Sequence, residues 1–210
     1  MNLYHIALFV HVSGVIGIWI TLGIWLFGLA TLRRAQRVGQ VRALAWLIVV
    51  ATPWMLLSLV LLGVAGFYMA LTTWGLQTDW IAVSLGSMLL IAPIGAFVLD
   101  RRMHTILDQA REASDGPLPD ALAARVHDPL LATGAQTMAA VLLGNVFLMT
   151  TKPIFIVAIL VMAGALLLGL LSGLPARWGA IRWVSRHTLS AAAGGEADPF
   201  QRRSIWTRRY

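Results

Sequence analysis

The sequence predicts an all-α fold: a polytopic bundle of five transmembrane helices, N-terminus outside and C-terminus cytoplasmic. Three observations point to it. Of 210 residues, 59% are apolar and 12% charged, against about 25% charged in soluble domains; mean hydropathy is +0.78. Five apolar runs approach or exceed the roughly 20 helical residues that cross a bilayer core about 30 Å thick. The arginines fall only in alternate gaps between those runs. Such a composition excludes a disordered chain, a soluble enzyme and an ordinary nucleic-acid-binding domain. The net charge of +7 reads as the basic loops of a membrane protein rather than as a nucleic-acid footprint. The absence of cysteine removes disulfides, thiolate metal sites and a cysteine nucleophile.

The first segment, Leu3 to Leu32, lacks a basic leader and is much longer than the apolar part of a signal peptide, about 7–15 residues. It is expected to be a retained span. The second runs from Leu44 to Thr72, the third from Trp80 to Leu99, the fourth from Leu130 to Thr151 and the fifth from Pro153 to Leu174. Only Lys152 and Pro153 separate the last two apolar runs, which predicts a tight hairpin, with Pro153 in the first turn of the fifth helix, where its missing N–H costs nothing. Pro53 and Pro93 sit inside the second and third segments as kinks tolerated in membranes.

All 15 arginines lie in the first gap, the third gap or the tail, whereas the other side carries only Lys152. The positive-inside rule therefore places the tail in the cytoplasm, and the expected setting is an inner (plasma) membrane. The 100–129 loop holds six acidic residues, from Asp100 to Asp128. A short helix is expected there over Met103–Ala113, ended by Gly116-Pro117. The tail, 176–210, begins as a basic segment with Trp178, Ile181 and Val184, suited to anionic lipid at the membrane surface, followed by a linker over Ala191–Pro199.

Ionisable side chains inside a membrane are costly and tend to be functional. The spans hold no Asp, Glu, Arg or Lys in their cores, which argues against a carboxylate proton relay. His11 is the exception, about 12 Å along the first helix. Tyr4, Ala7, His11, Gly14, Ile18, Thr21, Trp25 and Gly28 form one stripe with small residues at alternate places, as helix seams in membranes require. His11 should thus face the bundle. Asn145, Tyr68, Ser84, Ser87 and Lys152 lie at similar depth and outline a polar cluster in the outer half. Trp74 and Trp80 read as part of an interfacial belt.

Three readings of the cluster stay open. His11 could be an axial ligand of haem b, with Lys152 paired to a propionate and glycines such as Gly14 admitting the flat ring. His11 with Met69, Met88 and Met149 could hold copper, since imidazole and thioether suit Cu(I). Or no cofactor is bound and His11 is a packing residue hydrogen-bonded to Asn145. The function classes follow: a haem protein with a redox or haem-handling role, a copper or small-solute permease, or a non-catalytic assembly subunit. Partners in each case are the lipid bilayer, anionic lipid at the tail, and a second copy or another membrane-complex subunit, with no nucleic acid.

The His11-Val12-Ser13-Gly14-Val15 stretch followed by Trp19 resembles the opening helix of CopD-like and HemJ-like bacterial membrane proteins. Lys152-Pro153-Ile154 resembles the lysine that opens a later helix in those families. The layout is also similar to a family of predicted bacterial integral membrane proteins of uncharacterised function. The resemblance implies that His11 ligates haem or metal and that Lys152 is its companion basic group. It implies haem b with porphyrinogen chemistry on the HemJ-like side and copper uptake on the CopD-like side.

Overall fold

The computed structural model describes residues 2–172. The surface segment and linker expected in the 176–210 tail lie outside the described residues. Among the described residues the chain folds into helices with no strand, and five helical runs are long and apolar enough to cross a membrane. The protein is a multi-pass membrane protein.

Helix α1 spans Leu3–Leu32, with the Asn2 side chain accepting a hydrogen bond from the Tyr4 N–H at its start. Its buried face includes His11, Gly14, Ile18, Thr21, Trp25 and Gly28, the stripe that helical spacing marks. Helix α2 spans Val38–Met69 and widens into a π-helical turn over Ala70–Trp74. It begins earlier than the Leu44 expected from hydropathy because its first turns are buried by protein. Val38, Val41, Ala45 and Ile48 are fully covered. α1 and α2 pack along their length, and glycine permits the approach: a Cβ on Gly14 would stand 2.8 Å from the Leu62 nitrogen and the Ser58 carbonyl oxygen.

Helix α3, Asp79–Pro93, passes through a π-helical stretch, Ile94–Leu99, into α4, Asp100–Glu112. The third span and the expected loop helix are therefore one continuous element. Pro93 has no N–H for the carbonyl one turn back, and a wide turn is a common response to that gap. Outside the span α4 is amphipathic and buries Met103, Ile106, Leu107 and Ala110. A further short helix, α5 over Asp120–Val126, was not expected from the sequence. Helix α6, Pro129–Thr151, is started by the Asp128 side chain, which accepts from the Leu130 N–H. Pro129, not Pro153, takes the first-turn position. Lys152 ends α6 in the left-handed conformation at φ 48°, and Pro153 stays in the turn before α7, Phe155–Ser172. The Phe155 N–H then donates to Asp79 Oδ2 at 3.0 Å, tying the hairpin to the start of α3.

Helix α6 is the centre of the assembly and half of its apolar window is buried. It packs along α7, and α3 leans on both. The α1–α2 pair joins this group where α1 meets α6 and where α4 packs on α2, whereas α2 and α3 scarcely touch. A cleft therefore separates α2 from α3, with α1 and α6 behind it. Only 11% of the apolar window of α2 is buried.

The arginine-bearing end closes the cleft. Arg42 donates to the carbonyls of Ala110 and Ala113 at 3.0 and 3.1 Å and pairs with Asp115. Arg33 reaches the carbonyls of His127 and Asp128, and Arg102 pairs with Asp128. Burial lowers Arg33 below its ordinary arginine value, and the neighbouring Asp128 charge opposes that shift. Val38 N–H to Gly116 and Leu118 N–H to Gln36 stitch the two gaps together. Arginines expected to mark topology also hold this end together.

Candidate functional site in the cleft between two helices

At the Lys152 end the cleft widens into a cavity of about 270 Å³. His11, Met69, Met149 and Lys152, all singled out in the sequence, line it, as do Met88 and Ser84. Tyr68, Asn145 and Gly14 do not. Gly14 instead lies against the α2 backbone. Asn145 does not bond His11: its side-chain N–H groups donate to Ser87 Oγ and to the Val141 carbonyl, both at 3.0 Å. The packing partnership expected for His11 and Asn145 is thus absent, because the Asn145 amide faces α3.

His11 is 9% exposed. Its Nδ1 lies 2.9 Å from the Leu62 carbonyl oxygen. A carbonyl only accepts, so Nδ1 carries the proton and Nε2 holds a free lone pair. The Leu62 oxygen can take this second bond because a carbonyl has two lone pairs. Among the described residues no group hydrogen-bonds Nε2. The ring is seated by Gly66: a Cβ there would stand 2.9 Å from His11 Cε1 and Nδ1. A carbonyl-anchored imidazole with its other nitrogen open is the usual arrangement of a metal-ligating histidine.

Ser84 adds a second open group. It is 4% exposed, and its Oγ is buried without a partner among the described residues. Lys152 holds its ammonium 4.0 Å over the Trp74 ring, and Trp74 stands edge-to-face with Trp80 at 5.9 Å. Both tryptophans line the cavity; in the sequence they read only as an interfacial belt. Among the described residues no group of three or more His, Cys, Asp or Glu is placed to hold a metal ion.

Toward the arginine end a small space of about 30 Å³ touches Asn145, Met88 and Met149. Beyond it lies a third cavity of about 100 Å³, lined by Trp25, Thr52, Met88 and Asp100. Met88 borders all three. In the sequence Asp100 reads as a loop residue and Trp25 as part of the α1 stripe, so this third cavity is not foreseen as a site. The only available signal was the position of Asp100 at the very end of an apolar run. No family model, curated protein or solved structure matches this chain.

Proposed function

We propose that the protein binds haem b at His11, in a redox or haem-handling role, in a bacterial inner membrane with the His11 cavity on the outer side. The observation that carries this is the His11 ring: Nδ1 tied to Leu62 and Nε2 open at a cavity between α2 and α3. The porphyrin supplies four nitrogens itself, so one imidazole from the chain suffices where a bare ion would need a ligand cluster. The scant contact between α2 and α3 gives a flat apolar ring a sideways path from the lipid.

When bound, haem supplies one-electron iron chemistry. The chain's residues have separate tasks. The Leu62 carbonyl holds the His11 tautomer and orientation and raises the basicity of Nε2. The Lys152 ammonium is available to a carboxylate at the mouth of the cavity. Met69, Met88 and Met149 line the same cavity and would supply thioethers, soft donors that some haem proteins combine with histidine. The resemblance of the opening helix and the Lys152 stretch to CopD-like and HemJ-like proteins supports the same assignment.

The test is the visible spectrum of the full chain purified in mild detergent, oxidised and then dithionite-reduced. A Soret band with sharpened bands on reduction, lost in His11→Ala, is the expected result. A protein that stays colourless when haem is supplied during expression overturns the proposal. The three thioethers beside His11 favour a second reading, a Cu(I) site. It would show as copper retained by the colourless protein and released in His11→Ala.

A further inference from the structure

The cavity at the arginine end of the cleft carries two buried polar groups of opposite kind. Trp25 is 3% exposed, and its indole Nε1–H has no hydrogen-bond partner among the described residues. Asp100 Oδ1 is likewise buried without a partner, while Oδ2 faces His104 Nδ1 at 3.4 Å. Both residues line the same space of about 100 Å³. Indole can only donate, and a carboxylate oxygen accepts. Leaving either group unmatched carries a desolvation penalty, and both residues line one cavity.

From these groups we infer a second ligand site, which takes the ring head of a lipid-soluble phenol or quinol. A ring hydroxyl has the chemistry to match both groups: its oxygen accepts, as Trp25 Nε1 needs, and its hydrogen donates, as Asp100 Oδ1 needs. Apart from Thr52, whose hydroxyl donates to the Ile48 carbonyl at 3.2 Å, the remaining walls are apolar, with Leu22, Met55, Ile91 and Leu142 among them, as an aromatic ring requires. A closed apolar cavity of about 150 Å³ holds benzene. This one is smaller, but it lies along the cleft between α2 and α3, so a ring enters edge-on and its substituents stay in the cleft. A ligand dissolved in the bilayer reaches it without crossing water. A quinol ring carries its hydroxyl on the edge that enters first.

Of their lining residues this cavity and the His11 cavity share only Met88. The test is binding of a decyl-substituted 1,4-benzoquinol to the full-length protein in nanodiscs, measured by calorimetry. Trp25→Phe keeps the ring and removes the donor; Asp100→Asn weakens the acceptor. Each is expected to weaken binding roughly tenfold, the loss of about one buried hydrogen bond. The bis-methyl ether of the probe, which cannot donate to Asp100, should bind as weakly to the wild type as the quinol does to Asp100→Asn. His11→Ala should bind the quinol as the wild type does, which separates this site from the haem proposal. Chromatographic profile and melting temperature establish that each variant is folded. Equal binding of quinol and ether, or equal binding by wild type and folded Trp25→Phe, overturns the site and leaves ordered water as the partner of both groups.

Discussion

His11 depends on a residue that does no chemistry. Gly66 leaves the space in which the imidazole meets α2, and a methyl there would press on Cε1 and Nδ1. Gly66→Ala should therefore push the ring off the Leu62 carbonyl and lower haem content. The fold should lose only the 1–3 kcal/mol typical of overpacking, checked by absorbance per protein alongside the melting temperature. Lys152 offers the converse case. It is the only non-glycine with positive φ among the described residues, a conformation that costs about 1–2 kcal/mol. Lys152→Gly should relieve that strain and hold or raise the melting temperature, while removing the ammonium over Trp74 and weakening retention of any carboxylate-bearing ligand. A rise in both stability and ligand retention would mean that Lys152 has no binding role. That His11 faces inward was legible in the sequence, since one helix's spacing decides it. That Asn145 turns to Ser87 was not, because it depends on how α3 and α6 are rotated against each other.

At the scale of elements, the α1–α2 pair forms one wall of the cleft. Its contact is backbone against backbone at Gly14, where α2 offers the Ser58 carbonyl and the Leu62 amide. Gly14→Val should separate the helices and lower stability by about 1–3 kcal/mol. It should also disturb His11, one turn away, so thermal unfolding and haem content should fall together. The small-residue stripe of α1 was visible from spacing alone. The start of α2 and the joining of α3 to α4 were not. Hydropathy reports burial in lipid, and these turns are buried by other protein segments, as Val38 and Met103 show. The wide turn after Pro93 has the same character: the proline marks where the helix must adapt, but only packing sets how.

For the molecule as a whole, the arginine end holds the two halves at one end while the rest of the cleft stays apart. Arg33 bridges the end of α1 to the carbonyls before α6. Hydrogen bonds to a charged group are worth about 1.5–3 kcal/mol, so Arg33→Met should destabilise by about that amount and expose the 112–129 segment to protease. An unchanged cleavage pattern would mean that the other contacts at this end, from Arg42 and the Val38 and Leu118 N–H groups, suffice to hold it. The number of spans was readable from composition. The cleft was not, because it arises from a contact that α2 and α3 do not make, and an unmade contact leaves no mark in either helix's sequence.

The central claim is that the open nitrogen of His11 is what the cleft presents to a ligand. Replacing the side chain and supplying it again from solution tests this most directly. His11→Gly, expressed with haem, should lose the Soret band of the wild type, and added imidazole should restore it by entering the vacated space beside Gly66. A His11→Gly protein with the wild-type spectrum and haem content before imidazole is added would contradict the account.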